Sequence, residues 1–393
     1  MTPVLRTRMT ARDAGEEHRV STPLELLFDL VFVVAIAQVS AAFAQGVESG
    51  DGLALAPSCL TIFFAVWWAW MNFTWFASAY DTGDLGYLVL TVVQMAGVLW
   101  LAAGVPAAVH GDPVPGTIGY AIMRAGLILQ WVRAGVEYPA GRGTAFRYAV
   151  GFAVVQGMWL LRLGLPHGGP WWDFVLLALA ETTVPLLAER AGHSSWHPHH
   201  IAERYGLFTI ILLGESVLAS INGVQAAIHE GVTAGVVAVA LSGLVLLVAL
   251  WWTYFSEPSG EALDSNRRLA FFWGYGHFLL FAALTATGAG LEVVVAAMRH
   301  GGEADGQHFL AALVGVPVAL SVLLVWVLHE PLVGHGALRP SVVFASVAVC
   351  ASGILVPLPL AVAIALVAMG AVVPVASSFL AGGGRPLVDG PAG

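Results

Sequence analysis

The chain has 393 residues, of which 58% are hydrophobic and only 10% are charged, and its formal net charge is -9. A soluble protein normally carries about 25% charged residues, so this composition excludes a soluble globular protein and indicates one whose exposed side chains face lipid. All 16 basic residues are arginine, and no basic patch interleaved with aromatic residues points to a nucleic-acid partner. The two cysteines, Cys59 and Cys350, give no metal-binding or disulfide pattern.

The polar residues 1–22 precede an apolar run that is too long for the core of a signal peptide, so we expect an uncleaved first span. A membrane-spanning helix needs about 20 predominantly apolar residues. The stretches that meet this requirement lie near 23–45, 57–79, 85–109, 117–137, 145–164, 171–189, 201–222, 232–255, 269–297, 306–328, 340–356 and 359–380. The sequence therefore predicts an all-α integral membrane protein with about twelve transmembrane helices, although Pro357 and Pro359 leave open whether the last two spans are separate helices.

The two halves of the chain resemble each other weakly. Glu25 opens the first predicted span and Glu203 opens the seventh, while similar triplets, residues 74–76 and 253–255, end the second and eighth. This similarity favours two six-helix repeats of the same orientation, related by an axis along the membrane normal. The predicted division is a cytoplasmic segment 1–22, a first membrane half 23–190, a histidine-rich linker 191–200, a second membrane half 201–380 and a cytoplasmic tail 381–393.

The arginines are distributed unequally between the two sides of the predicted spans. Cytoplasmic loops carry the positive excess in membrane proteins, and most arginines fall on the same side as the N-terminus. An even number of spans then places both termini in the cytoplasm. The glycine-rich, lysine-free composition suggests a bacterial source, so we expect a multi-pass protein of the bacterial inner (plasma) membrane.

Several predicted spans contain ionisable residues, each of which costs roughly 2.5–3.5 kcal/mol on membrane-insertion scales. Glu25 and Asp29 lie one turn apart on one face of the first span, and Arg204 and Glu215 share a face of the seventh. Spans one and seven should therefore face each other. We predict a polar path for a substrate or ion, lined by Glu25, Asp29, Arg124, Glu181, His200, Glu203, Arg204, Glu215 and Ser216. The alternative is structural, with Glu25 or Asp29 held by Arg124 or Arg204 in a fixed salt bridge.

A histidine-rich stretch, with His193, His197, His199 and His200, precedes the seventh span. It is open to three interpretations: a metal site, a pH-sensitive cluster or an ordinary interfacial loop. No third ligand has diagnostic spacing, so we predict no metal and no cofactor. The tryptophans of the second span, Trp67, Trp68, Trp70 and Trp75, are typical of membrane packing and interfacial anchoring.

Two of these stretches carry a family resemblance. Residues 22–34, TPLELLFDLVFVV, resemble the opening motif of the bacterial low temperature requirement A (LtrA) family, and residues 200–217, HIAERYGLFTIILLGESV, are similar to its second hallmark. The resemblance singles out Glu25, Phe28, Asp29, His200, Glu203, Arg204, Gly206, Gly214, Glu215 and Ser216. It implies a membrane protein connected with growth in the cold, without implying a molecular activity.

A more distant likeness concerns potassium channels that carry a Phe-Ser-Asp motif on the first helix of a six-helix unit. Phe28 and Asp29 occupy the corresponding place, but the intervening serine and the preceding basic residue are missing. The likeness supports a cation channel only as an alternative.

Buried carboxylates and arginines in a closed bundle suit transport coupled to protons, or transport of a zwitterion. We therefore predict a transporter of an ion or small solute, and no enzyme. The alternatives are a cation channel, a membrane-embedded enzyme that acts on lipid with His200 and Glu203 as acid and base, and a sensor or scaffold without turnover. The expected partners are the lipid bilayer and a small solute or ion, and a homo-oligomer is compatible with the sequence.

Overall fold

The structure, a computed structural model, describes residues 4–13, 16, 19–165, 171–192, 194–230, 233–256, 259–299, 306–333 and 338–380; within helices, the side chains of residues 171, 191, 215, 216, 218–220, 222–230 and 299 are outside the description. In these ranges the chain forms α-helices and short irregular or one-turn 3₁₀ connections, and no strand. The α-helices, in chain order, are α1 (Pro23–Glu48), α2 (Gly52–Tyr80), α3 (Leu85–Val109), α4 (Val114–Glu137), α5 (Arg142–Arg162), α6 (Trp171–Ala188), α7 (Pro198–Glu230), α8 (Ala234–Phe255), α9 (Ser259–Ser265), α10 (Ala270–Arg299), α11 (Gln307–Val333), α12 (Pro340–Leu355) and α13 (Leu360–Leu380). The all-α prediction is confirmed.

Seven helical segments of the described residues are long and apolar enough to cross a membrane. They are Pro23–Glu48, Gly52–Tyr80, Leu85–Val109, Ala234–Ser265, Arg267–Met298, Gln307–Val333 and Leu360–Leu380. The chain is thus a membrane protein with several apolar helices. Helices α4 and α5 fall outside this group and carry two and three arginines respectively, while α12 is a shorter apolar helix. The total of twelve spans, the two repeats and the predicted domain boundaries stay predictions.

The last two predicted spans are separate helices. α12 ends at Leu355 and α13 begins at Leu360, with Pro357 and Pro359 in the connection. Proline lacks the backbone N–H that a helix interior requires, so the helix is interrupted there. The Ser346 hydroxyl donates to the Gly370 carbonyl (2.7 Å), which joins the two helices side by side.

The described residues divide into two compact units. The first lies within Met1–Ala42 and Leu53–Arg204, and the second lies within Phe43–Gly52 and Tyr205–Gly393. The boundary falls inside α7, so the first turns of that helix, up to Arg204, belong to the first unit.

In the first unit, α3 and α4 pack with their backbones in close contact. A Cβ atom on Gly97 would collide with the backbone of Met123 and Gly119, and one on Gly119 would collide with the backbone of Leu101. Small residues permit this approach in membrane proteins, where packing and not water exclusion drives helix association. Glycine at these two positions therefore lets the backbones of α3 and α4 touch.

The second unit has an aliphatic core between α8, α10, α11, α12 and α13. Its fully buried members include Val294, Val314, Val318, Ile364 and Val367. Most of its ionisable side chains lie at helix ends, whereas the first unit buries several of them between helices. The candidate site therefore lies in the first unit.

Candidate functional site

The first helix begins with a capping box that also positions a buried acid. The Thr22 backbone N–H donates to Glu25 Oε2 (2.8 Å), and the Glu25 N–H donates to the Thr22 hydroxyl (3.3 Å). This reciprocal pair satisfies backbone donors that the first helical turn leaves free, and Pro23 suits the first helical position. The Thr-x-x-Glu spacing is visible in the sequence, but our sequence interpretation did not use it. The box fixes the Glu25 carboxylate at the start of α1, with its second oxygen turned inwards.

One turn further along α1, Asp29 forms a bidentate ion pair with Arg204 of α7. Arg204 Nε donates to Asp29 Oδ2 at 3.0 Å, and its Nη2 donates to Oδ1. The Trp70 indole of α2 donates to the same Oδ1 at 2.7 Å. All three side chains are buried. Such a bidentate arrangement fixes geometry as well as charge, and it holds the first turns of α7 against α1. That spans one and seven face each other along their length stays a prediction.

Glu25 lies at the centre of three cationic or protonatable groups. Its Oε1 is 3.1 Å from His200 Nε2, 3.2 Å from Arg204 Nη1 and 3.9 Å from Arg19 Nη2. None of these contacts has hydrogen-bond geometry, and His200 Nδ1 also has no hydrogen-bond partner among the described residues. We call Arg19, Glu25, Asp29, His200 and Arg204 the inner cluster. It holds two carboxylates, two guanidiniums and one imidazole, all of them buried.

Glu203, the neighbour of Arg204, points away from this arrangement. Its two carboxylate oxygens accept from the Ser21 backbone N–H, each at 3.2 Å, and the side chain is partly exposed. Glu203 thus holds the residues that precede α1 and makes no ion pair with a described residue.

The segment before α1 crosses one end of the first unit and brings Arg19 to the inner cluster. The Arg19 guanidinium donates to the carbonyls of Ala77 and Ser78, both at 2.7 Å, near the last turn of α2. Cations near a helix C-terminus satisfy its free carbonyls and interact favourably with the helix dipole. Sequence reasoning assigned Arg19 only to the polar N-terminus, because an arginine outside the apolar runs carries no signal of burial.

The same segment is held by Asp84, which precedes α3 and lies outside the helix. Asp84 accepts from the backbone N–H groups of Thr7 (2.9 Å) and Tyr87 (2.8 Å) and pairs with Arg133 of α4. Burial alone would raise the pKa of this carboxyl. The Arg133 guanidinium and the two backbone N–H donors outweigh that effect and hold the pKa of Asp84 well below its usual range.

A second buried ion pair joins α4 and α6. Arg124 Nη2 donates to Glu181 Oε2 at 2.6 Å. The same carboxylate accepts from the Trp68 indole (2.7 Å), the Tyr120 hydroxyl (3.1 Å) and the Trp159 indole (3.2 Å). We call Arg124, Glu181, Tyr120, Trp68 and Trp159 the outer cluster. Four donors satisfy both oxygens of Glu181, so this carboxylate is far more completely hydrogen-bonded than Glu25.

A cavity of about 310 Å³ lies against the outer cluster. The N-terminal parts of α2, α4 and α6 and the C-terminal parts of α3 and α5 surround it, together with the α3–α4 loop. Helices that follow one another through short loops alternate in direction, so these parts share one end of the unit. Tyr120 and Trp159, which both donate to Glu181, also line the cavity. The cavity therefore approaches the Arg124–Glu181 pair through these two aromatic side chains.

The histidine-rich stretch contributes separate contacts and not one cluster. His197 Nε2 lies 2.7 Å from the Glu16 carbonyl oxygen, and His200 faces Glu25, while His193 lies outside the described residues. Among the residues that the structure describes, no group of three histidine, cysteine, aspartate or glutamate side chains is placed to hold a metal ion.

Glu215 and Ser216 lie on α7, where the helix is described but their side chains are not. Their role in a polar path stays a prediction from the sequence. Of the other predicted path residues, the structure brings Glu25, Asp29, His200 and Arg204 together. It places Arg124 and Glu181 in the outer cluster.

The second unit contains a buried ring cluster that sequence reasoning missed. The Tyr254 hydroxyl lies 3.1 Å from His277 Nε2, and the Ser259 hydroxyl lies 2.9 Å from His329 Nε2. In both histidines Nδ1 faces the backbone carbonyl four residues earlier, at 2.7 and 2.8 Å. A carbonyl only accepts, so we assign the proton to Nδ1, and each Nε2 accepts from a hydroxyl. The contact between each Nδ1 and the carbonyl four residues earlier follows from helix geometry. The hydroxyl partners of Nε2 are distant in sequence, so no sequence pattern indicates them.

The family model described as bacterial low temperature requirement A protein (LtrA) matches residues 20–375, which is nearly the whole chain. The chain belongs to the LtrA family. An uncharacterized protein of Rhizobium meliloti (strain 1021) is similar to it, with 26% identity over 348 residues, covering 81% of this chain and 80% of that protein. No solved structure gives a significant match.

The LtrA resemblance seen in the sequence is thereby confirmed. The two LtrA hallmark stretches, residues 22–34 and 200–217, supply four of the five members of the inner cluster. Arg19 comes from just before the first stretch, and the Trp70 indole reaches the cluster from α2. Asp29 of the first stretch and Arg204 of the second are therefore in direct contact in this LtrA-family chain, although 175 positions separate them in sequence.

Proposed function

We propose that this protein transports an ion or small solute across the membrane, and that the inner cluster exchanges a proton during transport. The observation that carries the proposal is the contact between Glu25 and His200. Both side chains are fully buried, and the imidazole forms no hydrogen bond to a described residue through either ring nitrogen. Burying an ionisable pair whose hydrogen bonds are incomplete is unfavourable, which supports a role beyond packing.

Helix registration alone does not need this arrangement. The bidentate Asp29–Arg204 pair already joins α1 to α7. Glu25 and His200 add a second acid and an imidazole beside it. Imidazole is the side chain that ordinarily gains or loses a proton near neutral pH, and ionisable groups inside membrane helices mark ion or proton pathways.

The alternatives have less support. For a lipid enzyme, His200 and Glu203 would have to act on one substrate, yet His200 faces Glu25 and Glu203 accepts from Ser21. For a cation channel, carboxylates would have to face a pore, whereas both carboxylates of the inner cluster are engaged by arginines. A transporter opens its binding site to one side of the membrane at a time, so a state in which the inner cluster is buried and closed is compatible with transport.

The proposal is tested in everted membrane vesicles from cells that produce the protein. Respiration acidifies the vesicle interior, and a fluorescent weak base reports the pH gradient while solutes are added singly. The panel contains monovalent and divalent cations, amino acids and short carboxylates. We expect at least one solute to dissipate the gradient with the wild-type protein, and no solute of the panel to do so with His200→Asn. This substitution leaves both arginines and both carboxylates of the cluster in place, so the variant should fold.

Glu25→Gln should also abolish the response, and Glu261→Gln is its matched control, because Glu261 is an exposed carboxylate on α9. Size-exclusion chromatography of each purified variant reports folding. If correctly folded wild-type protein gives no response to any solute of the panel, or if His200→Asn responds like the wild type, proton-coupled transport by the inner cluster is wrong.

A further inference from the structure

The cavity beside the outer cluster has the character of a small-molecule site. Its volume of about 310 Å³ lies at the lower end of the range for such sites, which are mostly apolar with a few polar groups. The apolar part of its lining includes Ile62, Ala65, Leu101 and Val105, and the polar part includes the hydroxyl residues Ser58, Thr61 and Thr117. The cavity thus offers an apolar wall and a small polar one.

Aromatic rings form one side of the cavity. The ring centroids of Phe64 and Phe174 are 6.2 Å apart with their planes nearly perpendicular, and those of Trp159 and Phe174 are 5.2 Å apart. Tyr120 and Trp159 use their polar atoms on Glu181, behind the cavity wall. They therefore present mainly ring surface to a ligand, which suits an apolar or aromatic body.

Arg162 gives the cavity its charge. Arg162 is the charged residue in the lining of the cavity. The lining does not include Asp173, the residue with which Arg162 forms an ion pair. Asp173 accepts from Arg162 Nε at 2.7 Å, and the guanidinium carbon lies 5.8 Å from the centre of the Trp159 ring. The ion pair with Asp173 holds one edge of the guanidinium, and the Trp159 ring packs against one of its faces. Its terminal nitrogens donate to no described residue, so they are available to an acidic group.

We infer that the cavity binds a small amphipathic monoanion, with its acidic group on Arg162 and its apolar body against Phe64, Trp159 and Phe174. A cation would meet only a positive charge in the lining. An uncharged apolar molecule would leave the guanidinium nitrogens unused. The binding site stands on the cavity alone, while its role as the site of the transported solute rests on the proposed transport function.

Binding is measured by calorimetry on the full chain in lipid nanodiscs, with empty nanodiscs subtracted. The probes are benzoate and octanoate, with benzyl alcohol and octanol as uncharged counterparts. We expect benzoate to bind at least tenfold more tightly than benzyl alcohol. Arg162→Gln should reduce the benzoate affinity by about tenfold. A hydrogen bond to a charged group changes an equilibrium constant by about this factor or more. Tighter binding of octanoate would identify acyl chains from the membrane as the source of the ligand, and tighter binding of benzoate would identify soluble aromatic acids.

Two variants keep the test decisive. Arg147→Gln removes an exposed arginine of the same helix and should leave benzoate binding unchanged. Ala65→Phe fills the cavity without touching the Arg162–Asp173 pair, so it should abolish binding even if Arg162→Gln fails to fold. Equal affinity for benzoate and benzyl alcohol, or unchanged benzoate binding in Ala65→Phe, overturns the inference.

The outcome is independent of the transport assay. Benzoate binding that depends on Arg162, without any solute response in vesicles, would leave this site standing and remove the proposed function. A vesicle response that depends on His200, without anion binding in the cavity, would remove this site and leave the function standing.

Discussion

Trp68 and Trp70 stand two residues apart on α2, and each donates its indole N–H to the carboxylate of a different buried ion pair. Trp68 binds Glu181 of the outer cluster and Trp70 binds Asp29 of the inner cluster, both at 2.7 Å. Residues two positions apart project on nearly opposite sides of a helix. α2 therefore separates the two clusters and contacts both.

This relationship predicts the effect of removing each indole N–H. Trp68→Phe and Trp70→Phe should each lower the free energy of unfolding by about 1.5–3 kcal/mol, the usual contribution of a hydrogen bond to a charged group. Trp131→Phe is the matched control, since Trp131 is also buried and its indole N–H has no hydrogen-bond partner among the described residues, and it should cost clearly less than the other two. Unfolding by SDS in mixed micelles, followed by circular dichroism, measures all three. Equal losses in the three variants would show that ring volume, and not the N–H donor, decides stability.

The Asp29–Arg204 pair should be strongly coupled. Asp29→Asn or Arg204→Gln leaves a buried charge without its main partner, which costs about 3–5 kcal/mol. The double variant should lose clearly less than the sum of the two single losses, as residues in direct contact do. The same unfolding assay gives the four free energies of the cycle.

The exposed pair Arg12–Glu16, an i, i+4 contact at 2.7 Å, supplies the comparison. Arg12→Gln and Glu16→Gln should each cost between about 0 and 1 kcal/mol, with little coupling, because solvent screens surface pairs. An Asp29–Arg204 cycle that is additive like this one would contradict the bidentate geometry.

The lowered pKa of Asp84 predicts that the protein loses stability at acidic pH. Its pKa is lower in the folded protein than in the unfolded chain, mainly because Arg133 and two backbone N–H groups outweigh the effect of burial. The stabilisation is therefore fully present above the unfolded pKa of about 4 and is lost as the pH falls through the folded value. The melting temperature of the wild type should exceed that of Asp84→Asn from pH 7 to about pH 4, and the difference should shrink below pH 4. A difference that stays constant down to pH 3 would disagree with this assignment.

The arginine distribution predicts membrane orientation. Asp112, an exposed residue of the α3–α4 loop, should face the outside, and Asp264, exposed on α9, should face the cytoplasm. An impermeant maleimide should label Asp112→Cys in intact cells and Asp264→Cys only after permeabilisation. Background labelling should be low because both native cysteines are buried. Labelling in the opposite order would reverse the predicted orientation.

The sequence by itself determined the class of protein. A chain with 10% charged residues cannot cover a soluble surface, and inside lipid a chain that forms long apolar runs satisfies its backbone as helices. It also identified the costly residues, because an acid or arginine within an apolar run is visible without knowing its neighbours. Glu25, Asp29, Arg124, Glu181 and Arg204 were all found in this way, whereas His200 was found in the histidine-rich stretch before the seventh span. The hallmark stretches revealed the family.

Only the tertiary structure decided which of these residues are partners. From the sequence, Glu25 and Asp29 could each pair with Arg124 or Arg204. In the structure, the rotation and packing of the helices place both carboxylates beside Arg204 and place Glu181 beside Arg124. Trp68 and Trp70 looked like packing residues because an indole is both a large apolar surface and a single N–H donor. Whether that donor meets lipid, water or a buried carboxylate depends on the neighbouring helices, which lie 41 and 113 positions away in sequence.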